Sequence, residues 1–544
     1  MADVLIGILF TLVAAAPAQT LDRLLPEPGG AGIERALSEI EDRPNAQLAA
    51  PLIDLLAFTR TRDQYMQILR ILSQIGGEHV ARSGEKAWEQ WMNWYGERQN
   101  LKPPPGYIGW KGELLARLVD PRFREFLYAD APVRIRAEEI AWGGVKVDGI
   151  PALVNPSMLP AAEAGYLTET EPVFGVSING DHRAYPLRIL DWHEMANDVV
   201  GGKPVALSYC TLCGAGILFD TATAGGARVF GSSGLLYRSN KLMFDRETKS
   251  LWNQMTGEAV AGKLAGSDVR LQVLPVVLTS WGEWKRRHPD TKVTDIRTGH
   301  ARDYRPGAVY GSYFASTGTM FPVWKQSRQL PRKARVFVMF RDGIAKAWPT
   351  EELARAGGVV NDSIGKEDVL IHYRDAVERV ALPQAWLAAL TGKWRVIRNA
   401  NDLTADAVKQ VLKKNAALLH ALTPEMWLAM PVDLRLALLE ERSVRERTGS
   451  SAPSDKISAD VRNEIAQRGL IGETRAYARE AVTFRAGAAS GQLIDETGAV
   501  WRIEEEALIS PGNRKLPRLG GHLAFWFGWF AFHPATEVYR AKTP

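Results

Sequence analysis

The chain has 544 residues, 46% of them hydrophobic and 24% charged, a composition that excludes a disordered or fibrous protein and suggests roughly two to four domains. Sixty-seven basic residues against 62 acidic leave a formal charge of +5, too weak over so large a surface to imply nucleic acid, and no nucleic-acid-binding motif is present. The first element is an apolar run from Val4 to Ala16, followed by the small-residue pattern Ala16-Pro17-Ala18. It predicts a signal peptide over 1–18, cleaved after Ala18, and a periplasmic or secreted protein. An uncleaved anchor would be the only expected membrane contact, and the run falls short of a full span.

Residues 31–140 read as a helical region. "DQYMQILRILSQIGG" carries apolar residues three and four apart and ends on paired glycines, a helix with its stop. Trp88, Trp91 and Trp94 recur at a spacing of three; this stripe is read as core, with a protein-partner groove as the alternative. From 142 the chain changes to short β-branched runs with Asn-Gly and Gly-Gly breaks. Around Asn179-Gly180 two alternating runs predict a hairpin, a short helix "RILDWHEMANDVV" follows, and the strand "KPVALSY" delivers the chain to Cys210.

The chain then repeats itself. "VFGVSINGDHRAYPLRIL" at 173–190 returns as "VFVMFRDGIAKAWPTEEL" at 336–353, "DRETKSLW" as "DETGAVW", and Trp281, Trp284, His288, Pro289 and Thr291 as Trp526, Trp529, His533, Pro534 and Thr536. The expected fold is therefore α+β: an all-helical N-terminal region, a first strand-rich unit over 142–333, and a second over 334–383 and 476–544, interrupted by a helical insertion with a flexible linker at 384–475. Residues shared by both copies are expected to be scaffold, among them His288, His533, Asn197 and Asn361, the two asparagines as turn or cap residues. Residues confined to the first copy are expected to carry function.

By that test the site is Cys210 and Cys213, the only cysteines, with His193, Ser232, Ser233, Asn240 and Met243. Two thiols with two residues between them can hold one soft ion, zinc or copper, with His193 third and Met243 or His182 fourth. They can instead exchange disulfides, or form a passive disulfide of small entropic benefit. Gly214 follows Cys213, so covalent c-type haem is excluded. Ser232 and Ser233, between Gly231 and Gly234, suggest an anion-binding loop or a tight hairpin turn. Asn240, Trp252 and Gln254 are candidate lining residues, with core packing the better reading for Trp252. Glu194, Asp245 and Arg246 are the catalytic candidates. Against that, Glu194 also reads as a helix-surface carboxylate, and Asp245 and Arg246 as a pair at a turn.

These stretches, "DGIPAL", "NGDHRAYPLRILDWHEMANDVVGG", "YCTLC", "FGSSGLLYRSNKLMFDRETKSLWNQ" and "FWFGWFAFHPATEVY", resemble the bacterial domain-of-unknown-function family DUF3179. Members usually carry Pro after the first cysteine, where this chain has Thr211. The resemblance implies the family and no activity, and leaves open whether the chain is an enzyme. Binding of a thiophilic metal ion, zinc or copper, in support of envelope redox chemistry is therefore the expected function, with a thiol–disulfide oxidoreductase and a non-catalytic envelope interaction protein as the alternatives.

Overall fold

The computed structural model describes residues 17–26, 31–77, 80, 84, 86–314, 316, 318–374, 472–488 and 491–541. The expected signal peptide lies almost wholly outside them, as do residues 375–471 of the second unit and its insertion. The chain is a mixed α/β protein, helical at the N-terminus and strand-rich beyond. It divides into two compact units, residues 1–142 with 260–266, and residues 143–259 with 267–544. Among the described residues no helix is long and apolar enough to cross a membrane.

In the first unit the helices follow the apolar periodicity. Arg62–Gly76 buries Ile68, Leu69, Ile71 and Leu72, and the chain leaves it through Gly77 at φ +92°, a left-handed exit that glycine makes without steric cost. Trp91 and Trp94, on the helix Ala87–Glu97, are buried edge to face with centroids 5.2 Å apart. They close against Gly76, where a Cβ would stand 2.6 Å from the Trp91 ring. Trp88 is only half buried.

The second unit is built from sheets. Pro172–Ile178 and Asp181–Pro186 pair antiparallel about Asn179 and Gly180, both at positive φ, as an Asn-Gly hairpin turn requires. Val277–Ser280 and Lys292–Thr294 flank this hairpin. The hairpin Arg335–Arg341 with Ile344–Pro349 is flanked in the same order by His522–Phe525 and Glu537–Val538. Further bonds recur at matching positions. Asn197 and Phe230 exchange two hydrogen bonds, 3.0 and 2.8 Å, as do Asn361 and Phe484 at 2.7 and 2.8 Å. Trp252 donates to Asp245 at 2.9 Å and Trp501 to Asp495 at 2.8 Å. The asparagines are therefore neither turn residues nor caps; they lie within strands and pin a distant strand in register. The strand Glu473–Ala478 also starts earlier than the second unit's expected resumption at 476.

Candidate functional site

The strands Lys203–Cys210 and Ala215–Asp220 pair antiparallel up to Cys210 and Ala215, and residues 211–214 form the loop between them. Cys213 donates its backbone N–H to the carbonyl of Cys210 at 3.1 Å, the closure of a four-residue turn that brings its first and last Cα atoms within about 7 Å. Gly214, at φ +56°, releases the chain into the next strand. This turn brings the two cysteines close to one another. Both thiols are unbridged and buried, 2% and 0% exposed.

The surroundings hold the pair in place. The Cys213 thiol donates to the carbonyl of Ser239 at 3.4 Å, and its sulfur accepts from Asn240 Nδ2 at 3.5 Å. Asn240 also donates to Gln254 Oε1 at 2.7 Å, and Gln254 bonds the carbonyls of Ser208 and Ala215, so the two amides form a strap across both strands. Tyr313 donates to the Leu212 carbonyl at 2.7 Å, and the Phe525 N–H to the Cys213 carbonyl at 2.7 Å. Gly528 closes the far side, where an added Cβ would come within 3.2 Å of the Cys213 sulfur.

The two thiols are unequal. Burial and the charge of Glu194 work to raise Cys210, but the neighbouring Cys213 thiol and the nearby backbone N–H groups of Lys241 and Cys213 outweigh them, so its pKa falls below the usual thiol value. Cys213 is pushed well up by burial and by the neighbouring Cys210 sulfur. Such asymmetry gives one sulfur the character of an attacking thiolate and leaves the other protonated.

Glu194 is not on a helix surface. The helix Leu187–His193 ends one residue earlier, and Glu194 caps it at φ +52°, 7% exposed. Its carboxylate meets Lys241 Nζ at 3.2 Å and accepts from Thr211 at 3.3 Å; its carbonyl accepts from Lys241 at 3.0 Å. Asp245 and Arg246 do not pair with each other. Asp245 accepts from Trp252 and Thr248, while Arg246 pairs with Asp148 at 2.9 Å. Ser232 and Ser233 occupy neither a turn nor an anion-binding loop. They lie within the strand Phe230–Tyr237, at a register irregularity where Gly234 takes φ +78°, and Ser233 bonds the Leu242 carbonyl.

Of the residues expected as metal ligands, the structure joins Cys210 to Cys213 and places the others in different settings. His193 Nδ1 bonds the Pro151 carbonyl at 2.7 Å, and its Nε2 meets the Tyr304 hydroxyl at 2.6 Å. Burial pushes this imidazole down to about 4, so it is neutral at pH 7 with Nδ1 donating and Nε2 accepting. A metal at Nε2 would displace Tyr304. Met243 is fully buried on the strand Asn240–Asp245, facing Ser232 and Trp252 in register. His182 stacks on His288 at 3.9 Å. Among the described residues no group of three or more His, Cys, Asp or Glu is arranged to hold a metal ion.

Sequence reasoning passed over Ser239, Lys241, Tyr313 and Gly528. Lys241 carried a signal, since it stands between Asn240 and Leu242 in a stretch already singled out. Tyr313 and Gly528 are brought in by tertiary contacts 101 residues or more along the chain.

The chain belongs to the family described as Protein of unknown function (DUF3179), whose family model matches residues 147–536. No curated protein and no solved structure matches it.

Proposed function

We propose that Cys210 and Cys213 form a reversible disulfide and that the chain is a thiol–disulfide redox protein of the cell envelope. The observation that carries this reading is the closed four-residue turn with two unbridged, buried thiols at its ends, Cys210 lowered and Cys213 raised in pKa. Cysteines at the ends of such a turn lie within the Cα separation a disulfide bridges. The export part of the reading is supported by the apolar run and Ala-Pro-Ala pattern at the N-terminus, and an oxidising compartment is where such a pair would turn over. The test is to equilibrate the reduced full-length chain in glutathione buffers of graded ratio and map the peptides. A Cys210–Cys213 disulfide that forms and reverses at a defined ratio is expected; thiols that stay free at the most oxidising ratio would overturn the reading.

A second reading is favoured by Asn240 Oδ1 and Ser239 Oγ, buried beside Cys213 with no hydrogen-bond partner. In it the two thiols hold one zinc or copper(I) ion, with oxygen donors completing the shell. Elemental analysis of chain purified without a histidine tag separates the two: about one equivalent of metal, lost in the double Cys→Ser variant, would favour the ion.

We also read the second unit as one fold used twice. The recurrent hydrogen bonds and the shared strand order around the two hairpins support that reading. On it the first copy carries the dithiol and the second keeps the scaffold alone.

A further inference from the structure

The tip of a turn between two strands normally faces solvent, because backbone buried away from water must find partners within the protein. Here the tip is covered. Thr211 and Leu212, the two residues between the cysteines, are 0% and 6% exposed. Part of the cover is the connection from the strand Lys292–Thr294 to the strand Arg335–Arg341. Among its described residues it carries one helix, the four residues Gly311–Phe314. A connection of this length with so little regular structure is uncommon, and is most often a functional loop or a lid.

Residues 296–314 of this connection lie across the turn and the end of the helix Leu187–His193, pinned there by side chains. Trp192 donates its indole N–H to the carbonyl of Asp303 at 2.7 Å. The hydroxyl of buried Tyr304 meets His193 Nε2 at 2.6 Å and Thr298 Oγ1 at 2.5 Å. Tyr313, also buried, donates to the Leu212 carbonyl at 2.7 Å, inside the dithiol turn itself. Lys333 then holds Tyr313 down. Its ammonium donates to the carbonyls of Tyr313 and Ser316 at 2.6 and 2.7 Å and stands 3.4 Å from the centre of the Tyr313 ring, a cation–π contact.

The backbone of the segment bonds between near neighbours, Ala308 to Arg305, Gly311 to Gly307 and Phe314 to Tyr310. The strand beneath it is tied by continuous ladders on both sides, Lys203–Cys210 to Met195–Val200 and to Ala215–Asp220. A segment held by a few side-chain bonds opens at lower cost than the sheet it covers. The wall on the other side of Cys213, where Gly528 stands, belongs to a helix that continues directly from the paired strand His522–Phe525, so it gives way less readily.

We propose that residues 296–314 are a strap that gates the Cys210–Cys213 turn, latched by Tyr313 on Leu212 and by Tyr304 on His193. Its release admits a reactant to the sulfurs while the strands stay folded. The inference goes beyond the dithiol reading and holds whichever chemistry the pair performs, since both sulfurs are enclosed until the strap lifts.

The experiment follows iodoacetamide labelling of the reduced full-length chain, read by peptide mass, at urea concentrations well below the unfolding midpoint. Lifting the strap alone exposes little surface, so the wild-type labelling rate should stay flat over this range. Access by global unfolding would instead make it climb steeply, because the urea slope scales with the surface exposed. Tyr313→Phe removes the latch bond and keeps the ring. It is expected to label both cysteines roughly three- to tenfold faster than wild type, the worth of one hydrogen bond, with the same flat urea profile. Tyr304→Phe should act likewise, and carries the test should Tyr313→Phe not fold. Asn361→Ala, which releases Phe484 on strands outside the strap, should lower the urea midpoint and leave the labelling rate at the wild-type value. The strap is overturned if the wild-type rate climbs with urea from the lowest concentrations, if neither tyrosine variant labels faster than wild type, or if Asn361→Ala speeds labelling as much as they do. None of these outcomes decides the dithiol reading, which stands or falls by the glutathione equilibrium.

Discussion

Trp284 donates its indole N–H to the hydroxyl of Thr291 at 2.8 Å, and Trp529 makes the same bond to Thr536 at the same distance. Each pair ties a short helix to the turn that follows it, and both indoles are buried, 0% and 1% exposed. Truncating either tryptophan to Ala should cost about 3–5 kcal/mol, as for other buried large aromatics. Denaturant melts measure it. A harmless Trp284→Ala beside an unfolded Trp529→Ala would count against the proposal that one fold is used twice.

A second prediction concerns the charges buried in the second unit. Glu473 is fully buried and accepts from Arg287 and Arg475 at 2.7 Å, from Arg374 at 3.1 Å and from Thr279. Removing one member of such a network leaves the opposite charge uncompensated, so Glu473→Ala should lose about 3–5 kcal/mol. The check is the urea midpoint; a loss under about 1 kcal/mol would mean the guanidinium groups find other partners.

A third prediction follows from His372 and His522, each 5% exposed. Burial pushes both imidazoles down to about 3, below the unfolded value near 6.5. A lowered base binds fewer protons folded than unfolded. Their contribution is therefore fully present above about pH 6.5 and lost as pH falls toward 3, at about 1.4 kcal/mol per pH unit for each. Urea unfolding at successive pH values should show this slope, and His522→Phe should flatten it by one histidine's share. An unchanged slope would mean His522 is protonated in the folded chain.

How far the sequence foretold these features depends on the reach of the contacts. The Asn179-Gly180 hairpin, the helix Arg62–Gly76 and the placing of Cys210 at a strand end follow from neighbours within a few residues, and each is where periodicity and turn chemistry put it. Gly231 and Gly234 read as turn punctuation around Ser232 and Ser233, whereas Gly234 marks an irregularity inside a strand. The partners of His193, Pro151 and Tyr304, lie 42 and 111 residues away, beyond any local pattern. Glu194 was legible in principle. Aligning "DWHEM" with "RAGGV" sets Glu194 against Gly358, the mark of a left-handed corner rather than of a helix surface.

The last prediction tests the inequality of the two thiols without assuming what they react with. Burial works to raise Cys210, but the neighbouring Cys213 thiol and backbone N–H groups hold it below the usual thiol value, while burial and the neighbouring Cys210 sulfur push Cys213 well up. The thiolate is the reactive form, and each pKa unit changes its population about tenfold below the pKa. Native reduced chain treated with iodoacetamide at pH 7 should therefore be alkylated at Cys210 at least roughly tenfold faster than at Cys213, as read by peptide mass at short times. Both sulfurs are buried, so labelling proceeds through local opening and is slow for each. The contrast must come from the environment, and in denaturant, where the environment is gone, the two should label alike. If Cys213 leads in the native chain, Cys210 is not the more reactive thiol and the assigned inequality is reversed. If the two label equally in the native chain and in denaturant, labelling reports global unfolding. The turn would then open only with the whole unit, and a dithiol so enclosed would not serve a partner disulfide in the folded state.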